Sequence, residues 1–281
     1  MREIKARILS DKVRELFIKA NVKLPCDTAM RIKEACETET SGAGAAALRV
    51  AVANLEAAEL NEMPICQDTG MAVVFCEIGN EVHITDGDFE EAINDGVRRA
   101  YKDGYFRCSV VADPLFERKN TTDNTPAIIH TRIVKGDKIK LWAEPKGFGS
   151  ENMSAMKMFK PSATTDDIVD FIVETVSKAG SNPCPPVIVG VGLGGTVDMA
   201  ALCAKRALLR DVGSVHEDEL YATLEAEALK KVNKLGIGPQ GLGGTVTALA
   251  VFIEKHATHI AGLPCVVNMG CHISRHASVI L

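Results

Sequence analysis

The sequence predicts a mixed α/β protein, and three features of its pattern support this class. Long segments carry apolar residues three and four positions apart, which is the period of an amphipathic helix. Short runs rich in Val, Ile and Leu lie between these segments. The two kinds of segment alternate without strict βαβ regularity. We therefore expect a helical N-terminal part, small mixed sheets flanked by helices, and glycine-rich loops around the functional site.

The first half of the chain begins with helical patterns that fill about sixty residues, including SDKVRELFIKANVKL, CDTAMRIKEACETE and an alanine-rich stretch. MAVVFCEI then predicts a strand, and TDGDFEEAINDGVRRAYKDG predicts a helix that ends near Gly104. PAIIHTRIVKG and DKIKLWAEPKG predict two strands joined as a hairpin by a Gly-Asp turn. KGFGSENMS predicts a loop.

The second half predicts a helix in TTDDIVDFIVETVSKAG, capped by Thr164 or Thr165, and a short buried strand in PPVIVGVG. Two further helices follow, in GGTVDMAALCAKRALLRD and in HEDELYATLEAEALKKVNKLG, the second ending at Gly236. The C-terminal tail predicts two strands. The motif GLGGTV occurs at 192–197 and again at 241–246, which predicts two similar strand-turn-helix corners that face one site.

Composition excludes several classes of protein. The 281 residues suffice for one domain, 1–281, or for two lobes that divide near residue 160. The net charge of −5 leaves no basic stripe for nucleic acid. No window is long and apolar enough to span a membrane, and the N-terminus lacks the apolar core of a signal peptide. We therefore expect a cytoplasmic protein that contacts neither nucleic acid nor membrane.

A glycine motif in the second half raises the alternative of an NAD-dependent dehydrogenase. GVGLGG matches G-x-G-x-x-G at Gly190, Gly192 and Gly195, after a predicted strand and before a predicted helix, and Asp211 follows at a suitable distance. However, RDVGSVHEDEL offers no second apolar strand that would end in the ribose-binding acid. Tight packing between a strand and a helix explains the same glycines equally well.

The nine cysteines divide by their sequence context. In a reducing compartment we expect no disulfides, and the absence of any C-x-x-C pair argues against a zinc ribbon or a thioredoxin-type site. Cys36, Cys76 and Cys203 lie in helical or apolar segments and are predicted to be core residues.

Three other cysteines stand in turns, where a thiolate can point toward a shared metal: Cys66 before QDTG, Cys184 in SNPCPP, and Cys271 in NMGCHISRH. Cys26 and Cys265 also neighbour a proline, so context alone leaves the choice of ligands open.

Several blocks of this sequence resemble the α subunit of class I, iron–sulfur fumarate hydratases, of which the tartrate dehydratase α subunit is a near relative. The blocks are PICQDTG, FRCSVVADPLF, NTTDNTPAIIH, KGFGSEN, NPCPPVIVGVGLGGT and LGIGPQGLGGTVTALAV…THIAGLPCVVNMGCHISRH. The resemblance runs from about residue 10 to the end of the chain, and the blocks keep the order of the family. One departure is Thr122, where the family often has glycine.

The resemblance implies a [4Fe–4S] cluster held by three thiolates, those of Cys66, Cys184 and Cys271. With three cysteines the fourth iron keeps an open position and acts as a Lewis acid. The implied catalytic acid or base is Asp68. The implied substrate-binding residues are Gln67, Arg107, Gly149 and His259. His272 and His276 stand near Cys271 and are candidates for contacts to it, without a ranking between them.

The resemblance also implies a partner. In the family the base that removes the carbon-bound proton, and further cationic residues, lie in a second domain or on a separate β subunit. This chain ends at SRHASVIL, with an apolar terminus, so we expect half of a split enzyme that is active only with its β subunit. An α2β2 assembly or a self-associating α dimer is expected.

The expected substrate is a C4 dicarboxylate, and the expected reaction is the reversible hydration of fumarate to L-malate. L-tartrate dehydration is the near alternative. A nicotinamide dehydrogenase and a non-enzymatic cluster-binding subunit are the alternatives of a different class.

Overall fold

The computed structural model describes residues 1–281 and divides the chain into two compact units. Unit 1 comprises Met1–Pro25, Leu55–Phe148 and Arg275–Leu281. Unit 2 comprises Cys26–Asn54 and Gly149–Ser274. Neither unit is therefore a single continuous stretch of chain.

Unit 1 contains two helices and two sheets. Its elements are β1 (Arg2–Lys5), α1 (Ala6–Val22), β2 (Met71–Gly79), β3 (Val82–Thr85), α4 (Phe89–Asp103), β4 (Ile128–Val134), β5 (Ile139–Lys146) and β10 (Ala277–Ile280). The larger sheet has the strand order β10-β5-β2-β4, and β1 pairs with β3 in a small second sheet. Helices α1 and α4 pack together and contribute Leu9, Phe17 and Ile93 to the core of this unit.

The predicted hairpin of β4 and β5 is wrong, although both strands exist. Strand β2 lies between them, parallel to β4 and antiparallel to β5. The residues of β2 from Ala72 to Cys76 are buried, so this strand takes an inner position of the sheet. The link from β4 to β5 crosses the end of β2, where the N–H groups of Gly79 and Asn80 donate to Lys138 and Val134, at 2.8 Å each.

Unit 2 is built around a second sheet with the order β6-β9-β7-β8. Its strands are β6 (Ala155–Phe159), β7 (Val187–Gly194), β8 (Ala248–His256) and β9 (Leu263–Gly270). Its helices are α2 (Cys26–Thr38), α3 (Gly42–Leu60, whose C-terminal end belongs to unit 1), α5 (Phe148–Glu151, whose first residue belongs to unit 1), α6 (Thr165–Ala179), α7 (Val197–Ala207) and α8 (Glu219–Asn233), with a 3₁₀ turn at Pro239–Gly241. All residues of β7 are buried, and β7 runs parallel to β8 and antiparallel to β9.

Several local predictions are confirmed. Thr164 caps α6 through a reciprocal capping box with Asp167, and Gly104 directly follows α4. Other boundaries differ. Helix α8 ends at Asn233 rather than at Gly236, and the Asn233 side chain accepts the N–H groups of Thr247 and Ala248 at the start of β8. The tail holds three strands rather than two, and the predicted loop KGFGSENMS contains the single helical turn α5.

The mixed α/β class, with a helical N-terminal part and small mixed sheets, is confirmed. None of the helices combines the length and the apolar character that a membrane crossing requires.

Candidate active site

The turn from Cys66 to Gly70 in unit 1 displays three predicted site residues. Gln67 is exposed, and Cys66 and Asp68 are half-buried. The Asp68 carboxylate accepts two backbone N–H groups, from Gly70 to Oδ1 at 3.0 Å and from Phe148 to Oδ2 at 3.0 Å. These bonds orient the carboxylate and leave further acceptor capacity on both oxygens.

Two glycines make the close approach at this turn possible. Gly70 adopts φ +78°, and a Cβ there would lie 2.6 Å from the Pro145 carbonyl carbon, so no other residue fits without a backbone shift. A Cβ at Gly147 would lie 3.2 Å from Asp68 Oδ2. The segment that ends β5 therefore packs closely against the Asp68 carboxylate.

Arg107 lies next to the same turn. Its backbone carbonyl accepts the Thr69 hydroxyl at 2.9 Å. Its guanidinium is exposed and makes no hydrogen bond or ion pair, and the Gln67 side chain is likewise without a partner. Unit 1 thus carries a carboxylate and an amide on one turn and bonds the backbone of Arg107 to that turn, and both the amide and the guanidinium are available to a ligand.

Sequence reasoning missed the buried side chains that hold this turn. The Tyr101 hydroxyl lies 2.7 Å from the Thr69 carbonyl and 2.9 Å from the Gly70 carbonyl, and Asn124 Nδ2 donates to the Gly70 carbonyl at 3.2 Å. Burial raises the pKa of Tyr101, so its hydroxyl stays protonated and donates. The one signal in the sequence was a polar residue at an apolar position of α4.

In unit 2 the structure brings Cys184 and Cys271 to the same end of the sheet. Cys184 precedes β7 and Cys271 follows β9, and these strands pair at Ile188 and Gly270. The His272 N–H donates to the Cys184 carbonyl at 3.3 Å, and His272 Nδ1 lies 3.0 Å from the same oxygen. His272 therefore joins the two cysteine loops.

Cys184 itself is exposed and adopts φ +53°, a conformation that a non-glycine residue rarely takes. Its loop is fixed from a second side, because the Gln240 N–H and Gln240 Nε2 both donate to the Pro185 carbonyl, at 2.7 and 3.0 Å. Gly149 in α5 is close to the same loop, since a Cβ there would lie 3.5 Å from the Asn182 carbonyl oxygen.

His259 lies at the other end of this sheet. It precedes β9, whereas Cys271 follows it, and the β7–β9 pairing extends from Ile188 and Gly270 to Leu193 and Cys265. Five steps along a strand correspond to ~16 Å. The structure of unit 2 therefore does not bring His259 to the two cysteines, and its substrate-binding role stays a prediction.

His259 has a defined tautomer at this position. Its Nδ1 accepts the Ala261 N–H at 3.1 Å, so a neutral ring carries its proton on Nε2. The imidazole borders an open, largely apolar cavity of ≈ 560 Å³, together with Met156, Gly195 and Thr258.

Burial separates three of the remaining cysteines, Cys76, Cys203 and Cys265, from the three in turns. Burial raises the pKa of Cys76 and of Cys265 to about 12, and it also raises the pKa of Cys203. Cys76 and Cys203 are core residues, as predicted, and Cys36 is only half-buried. Fully buried Cys265, in strand β9, is thereby a poor candidate for a thiolate ligand.

The donor set fits an iron–sulfur cluster in its chemistry. Cys66, Cys184 and Cys271 all stand outside regular elements, and none of them is buried. Cys66 belongs to unit 1, and the other two belong to unit 2. The structure contains no group of three or more His, Cys, Asp or Glu side chains close enough together to hold a metal ion.

The glycines of GVGLGG are explained by packing. A Cβ at Gly190 or Gly192 would overlap the backbone carbonyl oxygens of Ala204 or Ala200, both in α7. The segment from the end of α7 to the start of α8 contains no strand. A dinucleotide site requires such a strand to present the ribose-binding acid.

Comparison with known proteins gives consistent relationships over nearly the whole chain. A family model described as "Fumarate hydratase (Fumerase)" matches residues 10–280. A protein of Methanocaldococcus jannaschii named "Putative L(+)-tartrate dehydratase subunit alpha" is 42% identical over 274 residues, which are 96% of each chain. The L(+)-tartrate dehydratase subunit alpha of Escherichia coli K12 is 29% identical over 275 residues, 97% of this chain and 90% of the relative.

Proposed function

We infer that this chain, which belongs to the fumarate hydratase (Fumerase) family, is the α subunit of a hydro-lyase that acts together with a β subunit. The family match covers nearly the whole chain, and its relatives are named as α subunits. The partner's stoichiometry, α2β2 or another, is part of the proposal.

The proposed reaction is the reversible hydration of fumarate to L-malate. The observation that carries it is the turn in unit 1, where two backbone N–H groups orient Asp68 and the Thr69 hydroxyl binds the carbonyl of Arg107, whose guanidinium has no partner. A dicarboxylate needs a cationic clamp, and its dehydration needs a group that moves a proton at the leaving hydroxyl. L-tartrate dehydration is the second candidate, and the names of the relatives favour it.

Cys66, Cys184 and Cys271 are the proposed ligands of a [4Fe–4S] cluster. When bound, such a cluster supplies a Lewis-acidic iron for the substrate hydroxyl. The contribution of the chain itself is to present three accessible thiolates and to hold two of their loops together through His272.

The proposed roles of the residues in unit 1 come from the family resemblance and fit the chemistry of each side chain. Arg107 binds one substrate carboxylate through its fork of N–H donors. Gln67, exposed and without a partner, donates to or accepts from a substrate oxygen. In dehydration the protonated Asp68 carboxyl gives its proton to the departing hydroxyl, which leaves as water, and in hydration the Asp68 carboxylate takes a proton from the attacking water on a lone pair that Gly70 and Phe148 leave open.

The decisive experiment uses the chain co-expressed with its β subunit and purified without oxygen. Ultraviolet absorbance of the unsaturated product follows turnover of L-malate and L-tartrate separately, and loss of absorbance follows fumarate. Turnover of malate and fumarate supports the first candidate, and preferred turnover of tartrate supports the second. No turnover of any of the three would refute the hydro-lyase proposal for this site.

Arg107→Met tests the carboxylate clamp in the same complex. We expect KM for the dicarboxylate to rise at least ~10-fold, because a charge-assisted pair is worth more than about 1.5 kcal/mol. Arg14→Met is the matched control, since Arg14 pairs only with exposed Asp103. An unchanged KM in Arg107→Met would remove this residue from the site.

The cluster is tested on the chain by iron content. Anaerobic reconstitution should give about four irons per chain, as one [4Fe–4S] centre requires. Cys184→Ser should lose this iron, whereas Cys36→Ser, the matched control, should keep it. A full cluster in Cys184→Ser would contradict the ligand assignment.

A further inference from the structure

A buried arginine without a carboxylate partner lies directly behind the Asp68 turn. Arg275 is only 3% exposed. Its Nη2 donates to the Asp68 carbonyl at 2.5 Å and its Nε donates to Asn21 Oδ1 at 3.1 Å, and no carboxylate lies within ion-pair distance. The other deeply placed arginine, Arg210, does have such a partner, Glu225 at 2.6 Å.

An unpaired buried charge is costly, because arginine cannot release its proton and the interior solvates it poorly. A structure that needed only packing or one hydrogen bond at this position would be more stable with a neutral side chain. This cost indicates that the charge of Arg275, or its rigid set of N–H donors, has a function.

The position of Arg275 is fixed by its second contact. Asn21 is buried at the end of α1, where its Nδ2 donates to the Phe17 carbonyl at 3.1 Å and its own carbonyl accepts the Ile65 N–H at 2.9 Å. Asn21 is thereby tied to α1 and to the segment before Cys66. The guanidinium is held between this anchor and the Asp68 carbonyl.

The contact of Arg275 completes a series. The carbonyls of three successive residues, Asp68, Thr69 and Gly70, are each bound by a buried side chain: the first by Arg275, the second by Tyr101, and the third by Tyr101 and Asn124. The peptide planes of the turn cannot rotate without losing one of these bonds. Since Asp68 Oδ1 accepts the N–H of Gly70, the same planes set the direction of the carboxylate.

We propose that Arg275 is a positioning residue for Asp68: it locks the backbone from which the carboxylate projects and places an uncompensated positive charge behind the substrate-facing turn. The fork of donors fixes the carboxylate before the substrate arrives, so it acts on the chemical step rather than on substrate binding. This role rests on the proposed function, because it matters for turnover only if Asp68 transfers the proton.

The first test needs no activity. Amide hydrogen exchange in the intact chain reports on the N–H groups of Gly70 and Phe148, which bond the two Asp68 oxygens. In Arg275→Met we expect exchange at both amides to be at least ~10-fold faster, as for a loss of about 1.4 kcal/mol in local stability. Arg14→Met, a change of the same kind at an exposed pair, should leave both rates unchanged.

The second test separates positioning from general destabilisation. In the α–β complex, Arg275→Met should lower kcat by roughly 10- to 100-fold with KM changed less than ~3-fold, since a misplaced catalytic group affects the chemical step. Arg107→Met should instead raise KM and leave kcat nearly unchanged. Arg275→Lys keeps the charge but cannot reach both acceptors, so its kcat should lie between those of wild type and Arg275→Met.

Wild-type exchange at both amides together with wild-type kcat in Arg275→Met would overturn the proposal. If Arg275→Met does not fold, the same two measurements on Arg275→Lys decide, and wild-type values there overturn it. If the wild-type complex turns over none of the three dicarboxylates, the proposed function fails, and the exchange rates still decide whether Arg275 holds the Asp68 turn.

Discussion

The same six residues, GLGGTV, occur twice in unit 2 and do two different things. The copy at 192–197 ends strand β7 and leads into helix α7. The copy at 241–246 begins at the last residue of the 3₁₀ turn Pro239–Gly241 and leads into strand β8. The prediction of two similar strand-turn-helix corners is therefore wrong for the second copy.

The first copy uses its glycines for close packing. A Cβ on Gly192 would overlap the Ala200 carbonyl oxygen in α7, and a Cβ on Gly194 would overlap the His256 carbonyl oxygen in β8. The absence of side chains here lets a helix and a neighbouring strand approach the backbone of β7.

The second copy uses its backbone N–H groups for an anion. The Glu39 carboxylate, 8% exposed, accepts the N–H groups of Thr245 at 2.9 Å and of Val246 at 2.8 Å, together with that of Ser41 at 2.8 Å. A Cβ on Gly244 would overlap this carboxylate. The same six residues thus form a packing surface in the first copy and an anion-binding loop in the second. The two copies differ in the distant residue that contacts them: Ala200 packs against the first, and Glu39 binds to the second.

Gly192→Ala should have the largest effect of the changes that test this comparison. The added methyl group meets helix backbone, which cannot move aside, so we expect the free energy of unfolding to fall by about 3 kcal/mol or more. Chemical denaturation measures this. Gly42→Ala is the control, because nothing lies within 4 Å of a Cβ there, and a loss of similar size in that variant would disprove the packing argument.

Glu39→Gln should rank second. The amide loses the charge, and its NH₂ group faces N–H donors that need an acceptor, so we expect a loss of about 2–3 kcal/mol in the free energy of unfolding. The effect should appear in unit 2 as faster amide exchange at Thr245 and Val246. Unchanged exchange at these two amides would show that the loop does not depend on the carboxylate.

The same carboxylate predicts a dependence on pH. Burial pushes the pKa of Glu39 upward, but the hydrogen bonds from Ser41, Thr245 and Val246 outweigh it, so the pKa lies below its ordinary value of 4.5. The stability that Glu39 contributes is therefore present above pH 4.5 and is lost as the pH falls through the lowered value. Denaturation of wild type and Glu39→Gln should differ most near neutral pH and converge in acid; a constant difference would contradict this.

Local pattern was sufficient for some parts of this fold. The sequence predicted a cap at Thr164 or Thr165, and the structure selects Thr164, whose capping box with Asp167 lies within four residues. The order of β2, β4 and β5 was not predicted correctly. It depends on which strand is buried on both faces, and the Gly-Asp turn between β4 and β5 does not reveal that.

The candidate site shows the same limit. Gln67, Asp68 and Arg107 were predicted as site residues from the motif blocks, and in unit 1 the hydroxyl of Thr69, next to Asp68, donates to the Arg107 carbonyl. No residue near Asp68 in the sequence indicates the contact with Arg275. Arg275 donates to the Asp68 carbonyl, although the two residues lie 207 positions apart. Thr245 and Val246, which donate to Glu39, are equally distant from it in the sequence. Contacts of this kind form only when the chain folds, so a single sequence does not predict them.

Gly243→Ala should have a smaller effect than Glu39→Gln and should separate conformation from contact. Nothing lies within 4 Å of a Cβ at Gly243, but φ is +79°. The left-handed conformation costs a residue with a Cβ about 1–2 kcal/mol, and we expect that loss in the free energy of unfolding. A neutral result would mean that the second loop relaxes, and that the anion-binding geometry is less rigid than the bonds to Glu39 imply.

Gln240→Ala should give the smallest change in stability and links the second loop to the cysteines. The variant loses the bond from Nε2 to the Pro185 carbonyl at 3.0 Å and keeps the backbone N–H bond at 2.7 Å, so we expect a loss of about 1 kcal/mol. Because Pro185 directly follows Cys184, the thiol should become more reactive by roughly five-fold, the factor that corresponds to about 1 kcal/mol of local opening.

Alkylation rates of Cys184 in the iron-free chain measure this, with the exposed thiol of Cys26 in the same molecule as the internal reference. The His272 backbone N–H still donates to the Cys184 carbonyl in the variant, and this second support keeps the effect small, although the variant also loses the 3.4 Å contact of Gln240 Nε2 with His272 Nδ1. If Cys184 and Cys26 both react at their wild-type rates in Gln240→Ala, then the loop that Glu39 holds does not affect the reactivity of Cys184.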